Sequence, residues 1–193
     1  RIDSKRSIAD KGNRYCYINA ILQTKADDFY ASRSPIQAGA ELYGYEGIEG
    51  DIEVIELMAA SLSLIGIEDI TLSFGNTAIF NALCESAELN NQDIASLRDI
   101  FRRKSIPDLA DFFDRNEINH ADKFHSLISL DGDERILDKA AKIYKEFPTI
   151  INAIKDLKKL HSFFKDSNLS LMFDLGEVKA YEYHNGLVFA AYH

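Results

Sequence analysis

The sequence predicts an α+β fold, an antiparallel sheet flanked by helices, and three observations carry that prediction. Apolar and polar residues alternate with a period of two over residues 14–24 and again over 34–44, as they do in half-buried strands. The spacing then lengthens to that of amphipathic helices, and from 88 to 167 it stays helical. Strand-like alternation returns over 169–192, so hairpins and helices are segregated along the chain in the α+β manner, with one side of the sheet free for a ligand.

Residues 1–10 read as the tail of a helix, stopped by the turn chemistry of Lys11-Gly12-Asn13. The strand over 14–24 puts Tyr15, Tyr17, Asn19, Ile21 and Gln23 on one face and Cys16, Ile18, Ala20 and Leu22 on the other. A polar connector over 25–33 suits a hairpin loop. In the strand over 34–44, Ile36, Ala38, Ala40 and Leu42 form an apolar face expected in the core, opposite Gln37, Gly39, Glu41 and Tyr43. Ile52, Ile55, Met58, Ala59, Leu62 and Ile65 then recur at helical spacing, with Asp51, Glu53 and Glu56 near the positive end of the helix dipole. A strand over 69–74 and a helix over 77–87 follow. Further helices are predicted over 91–103, 107–114, 120–128, 133–146 and 149–165, punctuated by Pro107, Gly132 and Pro148. Strands over 169–174, 178–183 and 187–192 close the chain, the last after an Asn185-Gly186 turn. The expected organisation is a core of 1–87 and 168–193 interrupted by a helical insertion of 88–167.

Composition narrows the function. At 193 residues and 46% hydrophobic content the chain can bury a substantial core. Its net charge of -9 argues against nucleic acid as a partner, and Arg102-Arg103-Lys104 reads as a solvated helix face. Cys16 and Cys84 fall in apolar patterns without metal-ligand spacing, so the expectation is reduced, buried thiols in a cytoplasmic protein and no metal. No apolar run approaches the ~18 residues of a membrane span, and no signal-peptide pattern opens the sequence. A start at Arg1 within a helical pattern and an end at His193 within a strand pattern suggest a fragment.

The chemistry-bearing stretch is Ser34-Pro35-Ile36-Gln37-Ala38-Gly39-Ala40-Glu41. An amide and a carboxylate two steps either side of a glycine make a pocket floor on which a small ligand could approach the backbone. A half-exposed strand wetting its polar side accounts for the same pattern. A carboxylate buried there needs a partner. The N–H of a bound imidazole would serve, as would Lys179 or Arg33 in an empty pocket. His120, His125 and His161 fall on helices and carry no chemical assignment.

Two stretches together carry a family resemblance. Residues 14–25, with Gln37-Ala38-Gly39-Ala40-Glu41, resemble the motif-two hairpin of histidyl-tRNA synthetases and their paralogues. Phe173-Asp174-Leu175, with residues 178–192, resembles the histidine-specific signature of the same superfamily. The resemblance covers essentially the whole chain and implies the class II aminoacyl-tRNA synthetase fold. It also implies a histidine pocket, with Gln37 towards the α-amino group, Glu41 towards the imidazole, Lys179 in place of a synthetase arginine, and Tyr183 and His184 in place of a closing tyrosine pair. The synthetase's Arg-x-Glu element, whose arginine braces the ATP α-phosphate, is matched here by Gln23-Thr24-Lys25. A neutral amide cannot replace a fork of charged donors, and losing such stabilisation commonly costs several kcal/mol. Gln23, Lys25 and Arg33 therefore mark a degenerate ATP site, and no catalytic residue or cofactor is expected. The pattern resembles the superfamily's silent branch, the regulatory subunits of ATP phosphoribosyltransferase. That branch implies a short-form catalytic subunit as partner, histidine as effector, and a homodimer core within a hetero-oligomer. A fragment of a catalytic histidyl-tRNA synthetase and a stand-alone histidine sensor are the alternatives.

Overall fold

The first two alternating stretches resolve as strands β1 (Asn13–Ala20) and β2 (Ile36–Tyr43), paired antiparallel with Tyr15 opposite Glu41, Tyr17 opposite Gly39 and Asn19 opposite Gln37. The structure, a computed structural model, describes residues 12–22, 32–45, 47–178, 184 and 186–193. The expected helix over 1–10 and residues 25–31 of the expected connector lie outside them. The chain divides into two compact units, residues 1–58 and 59–193.

In the first unit, helix α1 (Ile48–Leu64) begins against the hairpin. Arg14 on β1 donates to both Glu53 carboxylate oxygens, at 2.5 and 2.7 Å, and to the Tyr45 hydroxyl at 3.3 Å. This two-pronged contact holds the Glu53 carboxyl below the usual carboxylate range. At Gly50 the helix lies close to β2, where an added Cβ would sit 3.4 Å from Leu42 Cδ2. The apolar side of the hairpin departs from expectation. Ile18 is 75% and Ile36 77% exposed, and only Ala40 and Leu42 are half-buried. Two strands alone give each residue few neighbours, so the alternation marks an apolar face without covering it.

The second unit holds a sheet in the order β4-β5-β3-β6, built from β3 (Thr71–Asn76), β4 (Asp131–Gly132), β5 (Ser170–Asp174) and β6 (Leu187–Tyr192). β6 runs antiparallel to β3 and β4 antiparallel to β5, but β5 runs parallel to β3. A parallel pair needs a long crossover. Here the crossover is α2 (Thr77–Ser86), α3 (Asn91–Arg103), α4 (Ile106–Arg115), α5 (Ala121–Leu127), α6 (Arg135–Ile143) and α7 (Pro148–Phe164). Leu72, Phe74 and Phe173 have no exposed surface, and the Phe164 ring of α7 stacks on Phe74 at 6.1 Å. Side-chain caps set the helix starts: Asn76 accepts from the Ala78 N–H, Asn90 from those of Gln92 and Asp93, and Ser105 from that of Asp108. Beneath them Phe80, Phe101 and Phe124 are fully buried with ring centroids 5.1 to 6.4 Å apart.

The basic run is spent on ion pairs. Arg102 and Arg103 both reach Asp99, Arg103 also reaches Asp108 at 2.6 Å, and Lys104 reaches Asp174 at 2.6 Å. Val178, expected to open a strand, is buried outside any strand, and residues 179–183 lie outside the described ones.

The two cysteines differ, against the expectation that both are buried. Cys16 is exposed, while Cys84 is 2% exposed and burial pushes its thiol up to about 12. An unfolded chain ionises this thiol near pH 9, so above that pH the folded state holds more protons than the unfolded one and stability falls with rising pH. Between pH 9 and about 12 the wild type should lose more stability than Cys84→Ala, read from denaturation midpoints across that window. At neutral pH iodoacetamide should label Cys16 alone, read by mass spectrometry.

Candidate functional site

Period-two geometry brings Gln37 and Glu41 to one side of β2, and the partner strand supplies what surrounds them. The Gln37 amide donates to the Tyr17 hydroxyl at 2.6 Å, and the Tyr43 hydroxyl donates to Glu41 Oε2 at 2.5 Å. The Tyr17 ring lies directly on Gly39, where a Cβ would sit 2.4 Å from its Cζ. The glycine is thus required, but the space expected to lie open to a ligand over the backbone is filled by an aromatic ring. An aromatic side chain directly across from a glycine is the signal that could have found Tyr17 from the sequence.

Glu41 is exposed and already partnered by Tyr43. The desolvation argument for a ligand at Glu41 therefore fails, and what remains is an oriented carboxylate beside an anchored amide. Tyr15, directly opposite Glu41, packs edge-on to Tyr43 at 5.9 Å, and its hydroxyl is buried with no hydrogen-bond partner. Arg33, in the turn leading into β2, is exposed.

His184 belongs to the second unit. Its Nε2 lies 2.8 Å from the Leu187 carbonyl oxygen. A carbonyl only accepts, which fixes a proton on Nε2. Thr77, 1% exposed at the start of α2, clamps the same turn: its hydroxyl reaches the carbonyls of His184 and Gly186 at 3.1 and 3.2 Å, and its N–H donates to the latter at 3.0 Å. Sequence reasoning missed Thr77, because a clamp on distant backbone carbonyls leaves no trace in a periodic pattern. Gln23, Lys25, Lys179 and Tyr183 lie outside the described residues.

The β3–β6 surface opposite the buried phenylalanines carries small residues. A cleft of about 120 Å³ there is lined by Ser73, Gly75, Glu177, Val188, Ala190 and Tyr192. A larger hollow of about 690 Å³ between α3 and α4 is lined by Asp99, Arg103 and Asp108, with Arg103 paired to both carboxylates, and it contains no predicted site residue. Among the described residues no group of three or more His, Cys, Asp or Glu could hold a metal ion, and no helix is long and apolar enough to cross a membrane.

Comparison with known proteins places this geometry. The histidyl-tRNA synthetase family model matches residues 1–193. A relative from Thioalkalivibrio sulfidiphilus, an ATP phosphoribosyltransferase regulatory subunit, is 33% identical over 197 residues, covering 100% of this chain and 50% of that one. The chain thus spans about half the length of the curated relatives it matches. Among solved structures, an ATP phosphoribosyltransferase regulatory subunit/histidyl-tRNA synthetase from Bacillus halodurans superposes with a TM-score of 0.82 at 22% identity, over 99% of this chain and 50% of that one. A chain of an ATP phosphoribosyl transferase (HisG:HisZ) complex from Thermotoga maritima gives 0.71 at 18% identity, over 97% of this chain and 66% of that one. These likenesses show the class II synthetase-like α+β fold. With the family model matched from end to end, the chain belongs to the histidyl-tRNA synthetase family.

Proposed function

We propose that the protein is the regulatory subunit of an ATP phosphoribosyltransferase, a non-catalytic chain acting on a short-form catalytic partner at the first step of histidine biosynthesis. One observation carries the reading. The hairpin keeps Gln37 and Glu41 on one face, where the family places the amino acid, while the sequence has Gln23 and Lys25 in place of the arginine and glutamate that adenylation demands. Histidine binds on the Gln37–Glu41 face, the family resemblance adds Lys179, Tyr183 and His184 as histidine-binding residues, and Gln23, Lys25 and Arg33 leave no working ATP site. No cofactor or nucleic acid takes part. Histidine then favours one quaternary arrangement through differential affinity. Residues 1–87 and 168–193 form the synthetase-like core, and 88–167 are an insertion into it. The assembly is a homodimer core within a cytoplasmic hetero-oligomer. The name of the Thioalkalivibrio sulfidiphilus relative and the complex containing the Thermotoga maritima neighbour support this reading.

The full-length protein should show no histidine-dependent ATP–pyrophosphate exchange and should co-purify with the phosphoribosyltransferase catalytic chain. Clear exchange would instead identify a catalytic histidyl-tRNA synthetase. Failure to co-purify would leave a stand-alone histidine sensor.

A further inference from the structure

We infer that the Tyr15 hydroxyl is a ligand contact of the Gln37–Glu41 face, a deepening that rests on the histidine-binding reading above. Tyr15 and Arg98 hold the two buried side-chain polar atoms without a partner among the described residues. Arg98 retains a bond to Asn81 at 3.1 Å and lies over the Phe80 ring at 5.4 Å. The Tyr15 hydroxyl has no such contact. A buried hydroxyl without a partner is destabilising, and phenylalanine would give the same packing against Tyr43 without that cost. Such orphans are rare in folded proteins and call for an explanation.

Position supplies one. Tyr15 lies directly opposite Glu41 on the antiparallel ladder, so the two side chains stand as cross-strand neighbours on the face that carries Gln37. Glu41 can only accept, whereas a tyrosine hydroxyl can donate or accept. Together they offer what a neutral imidazole requires, an acceptor for its N–H and a donor to its other ring nitrogen. The site thus takes a ligand bearing a heteroaromatic ring with one donor and one acceptor nitrogen.

The test is Tyr15→Phe in the full-length protein, measured twice. Without ligand the variant should unfold at a higher denaturant concentration than wild type, because the orphan is gone. By calorimetry its affinity for L-histidine should be weaker by about 5- to 150-fold, the range set by leaving one hydrogen bond of the complex unmade. A merely structural tyrosine would not move the two readouts in opposite directions. Wild-type binding with unchanged affinity in Tyr15→Phe would overturn this inference alone, as would a variant less stable than wild type without ligand. A wild type that binds no histidine would overturn the histidine-binding reading and this inference with it.

Discussion

Phe80→Ala should lower the unfolding free energy by about 3–5 kcal/mol, the range for truncating a fully buried aromatic ring. Phe80 has no exposed surface and belongs to a ring cluster contributed by four helices. The Phe101 ring of α3 lies 5.1 Å away and the Phe124 ring of α5 6.4 Å away, with Phe113 of α4 5.4 Å from Phe124. Phe101 and Phe124 are themselves fully buried, so neither can move inward to fill the cavity without opening another. The substitution also removes the ring beneath the Arg98 guanidinium, a contact of about 0.5–1 kcal/mol at a partly exposed site. In urea, with a slope of about 2 kcal/mol per M, the midpoint should fall by about 1.5–2.5 M. Phe112→Ala, at a half-buried position of α4, is the control and should move it far less. A Phe80→Ala shift worth under about 1 kcal/mol would show that the cluster does not hold the helices together.

What the sequence reveals follows from which interactions leave a periodic trace. Residues 91–103 are helical with both ends as predicted, because Asn90 caps one end and the chain turns left-handed at Lys104, just ahead of Ser105 and Pro107. The next helices agree to within one or two residues, except that 133–146 shortens to α6. There the apolar spacing runs on through Tyr144, which is buried in a turn with its hydroxyl donating to the Lys123 carbonyl at 2.8 Å. Burial continues where the helix has stopped. The strand expected over 69–74 starts later because Asp69 takes a left-handed turn conformation, and it ends on Asn76, which doubles as the cap of α2. The two-residue β4 is too short to show any period. The parallel pairing of β3 with β5 depends on a crossover through six helices that no local pattern encodes. At the candidate site, period two identifies Gln37 and Glu41 as one face. The bonds they make with Tyr17 and Tyr43, and the seating of Tyr17 on Gly39, depend on register and rotamer, which the sequence leaves open.

Glu41→Ala should weaken histidine binding by about two orders of magnitude while leaving the fold intact. Glu41 is exposed, so its loss should change stability by no more than about 0.5 kcal/mol. A charged acceptor facing an imidazole N–H contributes about 1.5–3 kcal/mol. At 1.4 kcal/mol per tenfold that range brackets a hundredfold loss. Glu41→Gln keeps an acceptor for the Tyr43 hydroxyl but removes the charge, so its affinity should fall between those of wild type and Glu41→Ala. Tyr43→Phe, which frees the carboxylate to rotate, should cost only a few-fold. Calorimetry with L-histidine on the full-length protein reads all three, and equal affinity in wild type and Glu41→Ala would remove the carboxylate from the site. The pairing across the ladder adds a sharper requirement. If Glu41 and Tyr15 grip the two nitrogens of one ring, then once either contact is gone the ring is free to shift and the other is worth less. The combined Tyr15→Phe and Glu41→Ala variant should therefore lose less affinity than the product of the single losses. Strictly multiplicative losses would mean that the two side chains act on the ligand independently.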